Sequence, residues 1–374
     1  MATYDAVIVG SGFGGAVAAC RLAEQGRSVL VLERGRRWGR KDFPRTGQAD
    51  APWRFQNDRT GLFEIRRFPG MKVIVAAGVG GGSLVYTNVQ KVPPASAFKG
   101  WPEPISLPRL RPYYERVRAM LEPTPIPHPL QRLRAFEAAH AEAERVRPAE
   151  LQGRVERPSL AVRWGEGDQE VANRFGARQQ PCNLCGNCAL GCERHSKNTL
   201  DLTYLKRAQD LGALVWPLCQ VTRIAPARLG GPTGTVYEVC FRRRGEENEG
   251  EEKVRARSVY LAAGSLGTTE LLLRCRDRER TLPKLSPRLG HQWSANGDFF
   301  AGLLDARLAI EPTRGPSVAA AYDAAEHGGF YVLEGAIPPA LLEGRRRALG
   351  WLTGAVSALR LSYRRPPSAA AEAE

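Results

Sequence analysis

An apolar stretch near the amino terminus ends in a glycine-rich turn, Val7-Ile8-Val9-Gly10-Ser11-Gly12-Phe13-Gly14-Gly15, and a second apolar run, Ser28-Val29-Leu30-Val31-Leu32, closes on Glu33. A strand from the fourth residue, a glycine turn, a helix over residues 16–25, a second strand and a terminal acid form the pattern of a dinucleotide pocket. Gly10 permits the tight bend out of the strand, Gly12 leaves room for a diphosphate beside the backbone, and Gly15 lets the helix pack on the sheet. Phe13 and Gly14 complete the turn. Free N–H groups at the helix amino end, together with its dipole, favour negative charge there. Glu33 is placed to accept a hydrogen bond from a ribose hydroxyl, and a carboxylate there repels a phosphorylated ribose.

A chain of 374 residues with 43% hydrophobic content has room for two packed units. The formal charge of +15 invites a nucleic-acid reading. No helix-turn-helix, zinc-finger or stacking-platform pattern accompanies it, and arginines occur throughout, from residues 34–37 to 345–347. The charge is read instead as compositional bias with attraction to anionic cofactors or membrane surfaces. The amino terminus enters a core strand without a secretory pattern. No apolar run reaches the ~18 to 20 residues needed to span a bilayer. A soluble, cytoplasmic chain is expected. Four of the eight cysteines crowd into residues 182–192, and Cys20, Cys219, Cys240 and Cys275 are isolated in apolar patterns. That spacing argues against a disulfide framework.

After Glu33 a Trp-, Pro- and Gly-rich excursion runs from residue 36 to about residue 99, and irregular segments of that length are usually functional. Helices are predicted over 107–121 and 130–147, joined by Pro123-Thr124-Pro125-Ile126-Pro127. Strand character returns at 214–216, 221–224 and 235–242, and the acidic loop 246–252 leads to a closing strand at 258–262. That strand runs into Ala263-Gly264-Ser265-Leu266-Gly267 and an apolar helix to Leu273. The fold class is α/β with an α+β substrate part: a Rossmann-like parallel sheet carrying a β-meander, plus an incomplete mixed-sheet substrate domain. Residues 1–100 and 175–292 form a discontinuous cofactor domain, 101–174 a helical insertion and 293–374 the substrate part. This discontinuity fits FAD-dependent enzymes better than simple NAD dehydrogenases.

A second glycine cluster, Gly78-Val79-Gly80-Gly81-Gly82-Ser83-Leu84-Val85-Tyr86-Thr87-Asn88, suggests close approach to a flat ligand or a phosphate nest. At this point the chain resembles the glucose-methanol-choline family of FAD oxidoreductases, in its cholesterol-oxidase-like branch. The stretches Cys185-Gly186-Asn187-Cys188, Gly191-Cys192, Lys197-Asn198-Thr199-Leu200, Ala262-Ala263-Gly264-Ser265-Leu266-Gly267-Thr268 and Ser294-Ala295-Asn296-Gly297-Asp298 extend the resemblance over about the first 340 residues. The resemblance implies that Gly10 to Gly15 cradle the diphosphate, that Glu33 and Arg34 meet the adenosine ribose, and that Val221 touches the adenine edge. It places Gly80, Gly81, Gly82, Ser83 and Asn88 along the flavin, with Ala263, Gly264, Asn296, Gly297 and Asp298 on its other side. A tight turn is the alternative reading of Asn296-Gly297-Asp298.

The chemistry implied is oxidation of an apolar, sterol-like secondary alcohol to a ketone, hydride passing to the flavin and the hydroxyl proton to a base. The base implied is Glu334, in the apolar segment Phe330-Tyr331-Val332-Leu333-Glu334-Gly335-Ala336-Ile337-Pro338-Pro339, where burial would raise a carboxyl pKa. A strand-end carboxylate facing water is the alternative. The electron acceptor stays open among oxygen, a quinone and a carrier protein. The arginine-rich surface and the apolar segment 349–361 are compatible with transient membrane contact.

The sequence departs from the family pattern in lacking its later segment with a His-Pro-x-Gly-Gly setting and the following histidine or asparagine. None of the five histidines replaces them. The chain therefore reads as an amino-terminal fragment or a frame-shifted remnant. A second functional reading follows: a flavin- or iron-sulfur-binding chain without turnover, completed by a partner.

The run Cys182-x-x-Cys185-x-x-Cys188-x-x-x-Cys192 matches the iron-sulfur spacing of bacterial ferredoxins, although Glu193 replaces the following proline and no second run exists. A single 4Fe-4S cluster would need another thiolate, with Cys219 a candidate. Zinc, or thiols and disulfides shaping a loop, are the other readings.

Overall fold

The computed structural model describes residues 1–43, 61–147, 152–228, 235–244, 250–294, 297–299, 301–302, 310–326 and 329–339. Asn296, the loop tip 246–249, the segment 349–361 and residues 44–60 of the excursion lie outside the described residues.

Strand β1 (Thr3–Val9) leads through the glycine turn into helix α1 (Phe13–Glu24) and strand β2 (Val29–Leu32), which pairs in parallel with β1. A hairpin follows, β3 (Phe63–Phe68) and β4 (Met71–Ala76), then helices α2 (Leu107–Leu121) and α3 (Gln131–Val146) and the short strand β5 (Arg154–Glu156). A two-stranded pair, β6 (Val171–Ala172) and β7 (Arg178–Gln179), precedes helix α4 (Tyr204–Asp210) and strand β8 (Leu214–Trp216). The meander β9 (Cys219–Arg228), β10 (Thr235–Arg243) and β11 (Glu251–Leu261) returns the chain to helix α5 (Gly264–Leu273). Strands β12 (Ala321–Ala324) and β13 (Phe330–Leu333) end the described elements.

The main sheet has the order β8-β2-β1-β11-β10-β9, with β1 parallel to both β2 and β11 and the meander antiparallel. Its centre is apolar on both faces because β1 alternates between two cores. Ala6 and Ile8 pack with Ala16, Ala19 and Cys20 of α1, and Val7 and Val9 pack with Phe241, Val254 and Leu271. Such two-sided burial is what continuous apolar runs such as Val29–Leu32 require. Pro226 sits in β9, an edge strand, where a missing N–H costs no ladder bond.

Two features differ from the sequence-based expectation. The excursion after Glu33 is not wholly irregular: β3 and β4 pair from Phe63↔Ala76 to Phe68↔Met71 around Pro69-Gly70. The segment read as a helical insertion also contributes β5 to a three-stranded sheet, β13-β12-β5. Lys91 ties β5 to the central strand β12, donating to Glu156 and Asp323 at 2.7 Å each. The Tyr331 hydroxyl donates to Glu156 at 2.6 Å.

Candidate functional site: a cleft at the carboxyl ends of β1 and β11

The carboxyl ends of β1, β2 and β11 open onto a cleft of about 570 Å³. A crevice beyond the strand ends is where sheets of this kind bind ligands. Gly10, Gly12, Phe13, Gly14, Glu33, Arg34, Gly81, Gly82, Val221, Ala263 and Gly264 all line it. The sequence had suggested each of these, and the fold brings them together from segments more than two hundred residues apart.

The first glycine turn is shaped by contacts within the protein as well as by the space beside it. A Cβ on Gly15 would stand 2.0 Å from the Gly10 carbonyl oxygen, whereas one on Gly12 would meet no atom within 4 Å. Gly15 thus packs helix on strand, and Gly12 borders open cleft. Gly12 also caps α1, accepting from the Ala16 N–H at 2.8 Å, so the first N–H groups of the helix face the cleft.

Glu33 is buried, and its carboxylate is largely committed. Oε2 accepts from the Ser11 N–H at 2.9 Å and the Ser11 hydroxyl at 2.6 Å, and Oε1 accepts from the Gly35 N–H at 2.8 Å. Three of roughly four lone-pair positions are filled, which leaves one for a ribose hydroxyl. The Ser11 oxygen in turn accepts from the Gly80 N–H at 3.0 Å, tying the first glycine turn to the second. Sequence reasoning passed over Ser11, which occupies a variable position of the turn and reveals itself only through the distant Gly80.

The second glycine cluster divides. Gly81 and Gly82 line the cleft; Gly80, Ser83 and Asn88 do not. Gly81 has φ +55°, and a Cβ there would lie 2.7 Å from the Gly12 Cα, so this glycine meets the other turn rather than only a ligand. The Ser83 hydroxyl donates to the Gly80 carbonyl at 2.7 Å and accepts from the Leu200 N–H at 3.0 Å. Asn88 is 0% exposed, and both its amide oxygen and its amide nitrogen lack hydrogen-bond partners.

At the side lined by Arg34 the hairpin of β3 and β4 closes over the cleft. Arg34 and Arg66 share Glu64, the Arg66 Nε at 3.1 Å, and Arg66 also reaches Glu270 of α5 at 2.8 Å. Burial pushes the Glu64 carboxyl up, but the two guanidiniums outweigh it and hold the group below its ordinary range. Arg66 and Glu270 both line the cleft and carried no sequence signal.

Three expectations need correction. Gly297 and Asp298 are exposed and not on the cleft wall, and Asn296 lies outside the described residues. Glu334 is not in an apolar setting and does not line the cleft: its carboxylate is bound by the Arg132 guanidinium, with side-chain exposures of 13% and 3%, and accepts from the Ala319 N–H at 3.3 Å. Arg132 donates further to the carbonyls of Arg314, at 2.8 Å, and Pro316. The cysteines Cys182, Cys185, Cys188 and Cys192 do line one cavity, but it measures about 20 Å³, room for roughly one water. Among the described residues no group of three or more His, Cys, Asp or Glu side chains is placed to hold a metal ion. The described cysteines are all free thiols. As packed, the loop does not fit an iron-sulfur cluster.

One side chain behind the second glycine cluster went unassigned in the sequence. Lys197 is 1% exposed, and its Nζ donates to the carbonyls of Leu84 at 3.0 Å, Tyr86 at 3.1 Å and Cys188 at 3.0 Å.

The cleft, its helix amino terminus and the parallel strands that feed it define a dinucleotide-binding fold. The family model described as GMC oxidoreductase matches residues 4–276, and the chain belongs to the GMC oxidoreductase family. Members of this family bind FAD. The chain is 32% identical to a cholesterol oxidase of Acinetobacter baumannii over 321 residues, covering 80% of this chain and 55% of that protein. It is also 32% identical to a cholesterol oxidase of Mycobacterium tuberculosis (strain ATCC 25618 / H37Rv) over 330 residues, covering 83% and 54%. A long-chain-alcohol oxidase, FAO3, of Arabidopsis thaliana is 25% identical over 299 residues, covering 75% and 35%. The chain thus spans about half the length of the cholesterol oxidases it matches. No described helix is long and apolar enough to cross a membrane.

Proposed function

We propose that this chain binds FAD in the cleft and belongs to an enzyme that oxidises an apolar secondary alcohol, of sterol-like shape, to a ketone. The observation that carries the reading is the joining of both glycine clusters, Glu33 and Val221 around one cleft. Relatives named as cholesterol oxidases and long-chain-alcohol oxidases support the substrate class. On this reading residues 1–100 and 175–292 hold the cofactor, and residues 101–174 and 293–374 build the substrate side.

Bound FAD would supply the hydride acceptor. The chain's own residues hold and orient it. The amino end of α1 offers N–H groups to the diphosphate, Gly12 leaves the space for close approach, and Glu33 accepts from the ribose. Ser11 fixes the spacing between the two glycine turns. Arg66 and Glu270 close the adenosine end against water. Glu334, engaged by Arg132, serves here as the anchor of the strand ending at Leu333, and not as the group that takes the substrate proton.

A second reading, a flavin-binding chain that acts only with a complementing polypeptide, is favoured by one observation. Among the described residues no histidine lines the cleft, and the carboxylates that do, Glu33 and Glu270, are hydrogen-bonded or ion-paired.

Titration of purified protein with FAD, followed by flavin fluorescence quenching and the visible spectrum, tests cofactor binding. Anaerobic bleaching by cholesterol, long-chain alcohols and short alcohols tests the reaction. Bleaching by sterols and long-chain alcohols but not short ones is expected; uptake of FAD without bleaching by any alcohol selects the second reading, and no uptake overturns both.

A further inference from the structure

Burying an ammonium removes it from water at a cost of several kcal/mol, and the usual offset is a carboxylate. Lys197 has no carboxylate in contact, Asp201 acting on it only through space. Its Nζ is satisfied by three main-chain carbonyls and sits 5.1 Å from the centre of the Tyr86 ring. Among the described residues no carboxylate lies within 4.0 Å of it. A neutral side chain could join the same loops with less desolvation, so the retained charge itself asks for a role.

Its position supplies one. Leu84 and Tyr86, whose carbonyls it holds, lie two and four residues after Gly82, which with Gly81 forms a wall of the cleft. Tyr86 packs edge-on against Phe13 of the first turn, with ring centres 5.6 Å apart, and Phe13 lines the cleft. The charge therefore stands one layer of residues behind the cofactor wall, in an interior that screens it poorly.

We propose that Lys197 is a positioning residue whose buried positive charge raises the reduction potential of a flavin bound in the cleft. The inference rests on the FAD reading above. Reduction adds electrons to the flavin, and a fixed cation nearby favours the electron-rich state. The titratable groups around the ammonium are Tyr86, Cys188, Cys192 and Asp201. Burial pushes Lys197 down to about 8 and pushes the Tyr86 hydroxyl and the Asp201 carboxyl up. Near neutral pH the Lys197 charge is retained.

The test compares FAD affinity and flavin midpoint potential, by dye-coupled anaerobic titration, in the wild-type chain, Lys197→Met and Lys197→Arg. The expected result is that Lys197→Met, with FAD still bound, shifts the two-electron equilibrium at least tenfold toward oxidised flavin, equivalent to about 30 mV, and that Lys197→Arg restores it. FAD bound by Lys197→Met at unchanged potential overturns the inference while leaving the cofactor reading intact. If the methionine variant does not fold or hold FAD, the wild-type potential decides: it falls more steeply than that of free FAD above about pH 8, and a curve parallel to free FAD overturns the inference. Absence of FAD uptake by the wild type overturns the cofactor reading, and this inference with it.

Discussion

At the scale of single residues the cleft depends on atoms that are missing and on one hydroxyl that is present. Gly15→Ala would drive a methyl group into the Gly10 carbonyl, since the Cβ stands 2.0 Å from that oxygen. Displacement of the turn is expected to weaken FAD binding at least tenfold, read by fluorescence titration. Ser11→Ala leaves the Gly80 N–H without its acceptor and Glu33 with one donor fewer. A loss of about 1–3 kcal/mol in stability follows from stranding buried polar groups, measurable by urea unfolding, together with weaker FAD binding. Lys197 adds a pH signature. Its folded pKa of about 8 lies below the ordinary 10.5, so the unfolded chain binds more protons between those values. Stability from this group is therefore lowest below pH 8 and rises toward pH 10.5, by an amount on the order of 3 kcal/mol. Wild-type stability minus that of Lys197→Met, compared at pH 7 and pH 9.5 by urea unfolding, should be more positive at the higher pH. The glycines of the first turn were legible in the sequence because their spacing encodes the geometry locally. Ser11 and Lys197 were not, because their roles are set by Gly80 and by Leu84, Tyr86 and Cys188, which only folding brings near.

Among elements, strand and helix positions followed closely from apolar runs and glycine junctions. The hairpin of β3 and β4 did not, although Pro69-Gly70 between two β-rich runs is a turn signal of its own. It was submerged in a stretch whose Trp, Pro and Gly content suggested irregular chain. Glu334 shows the limit of local reading more sharply. Its sequence neighbours are apolar, yet its partner Arg132 lies 202 residues away on α3. Removing one member of such a buried pair strands the other's charge, so Arg132→Met is expected to cost about 3–5 kcal/mol in urea unfolding. The double change Arg132→Met with Glu334→Leu should recover most of that loss. A double variant as unstable as the single one would show that the carbonyl contacts of Arg132, and not the ion pair, hold α3 to this sheet.

For the whole molecule, the cleft is walled by β1 and β2 from the start of the chain and by the β9–β11 meander from its later part, so a ligand held there would join the early and late halves of the main sheet. Ligand binding confined to the folded state stabilises it by about 2.7 kcal/mol at a hundredfold excess over Kd. A thermal scan with FAD at that excess should shift the whole unfolding transition upward as one step, and a shift confined to part of the transition would show two independently melting units. The sequence made the parallel order of the early strands and the meander readable. It could not indicate that β5, from the intervening helical segment, completes the sheet of β12 and β13.

The pairing of Thr3 with Arg255 has a consequence in time. During synthesis the first strand leaves the ribosome with its partner on one edge about 250 residues behind it, a wait of roughly 12 to 50 seconds at about 5–20 residues per second. Throughout that interval an apolar strand already paired with β2 has its other edge bare, the kind of edge that recruits foreign chains. Production of this protein in a cell should therefore be limited by what shields that edge during translation, and slowing elongation ahead of residue 255 should increase aggregation more than slowing it afterwards.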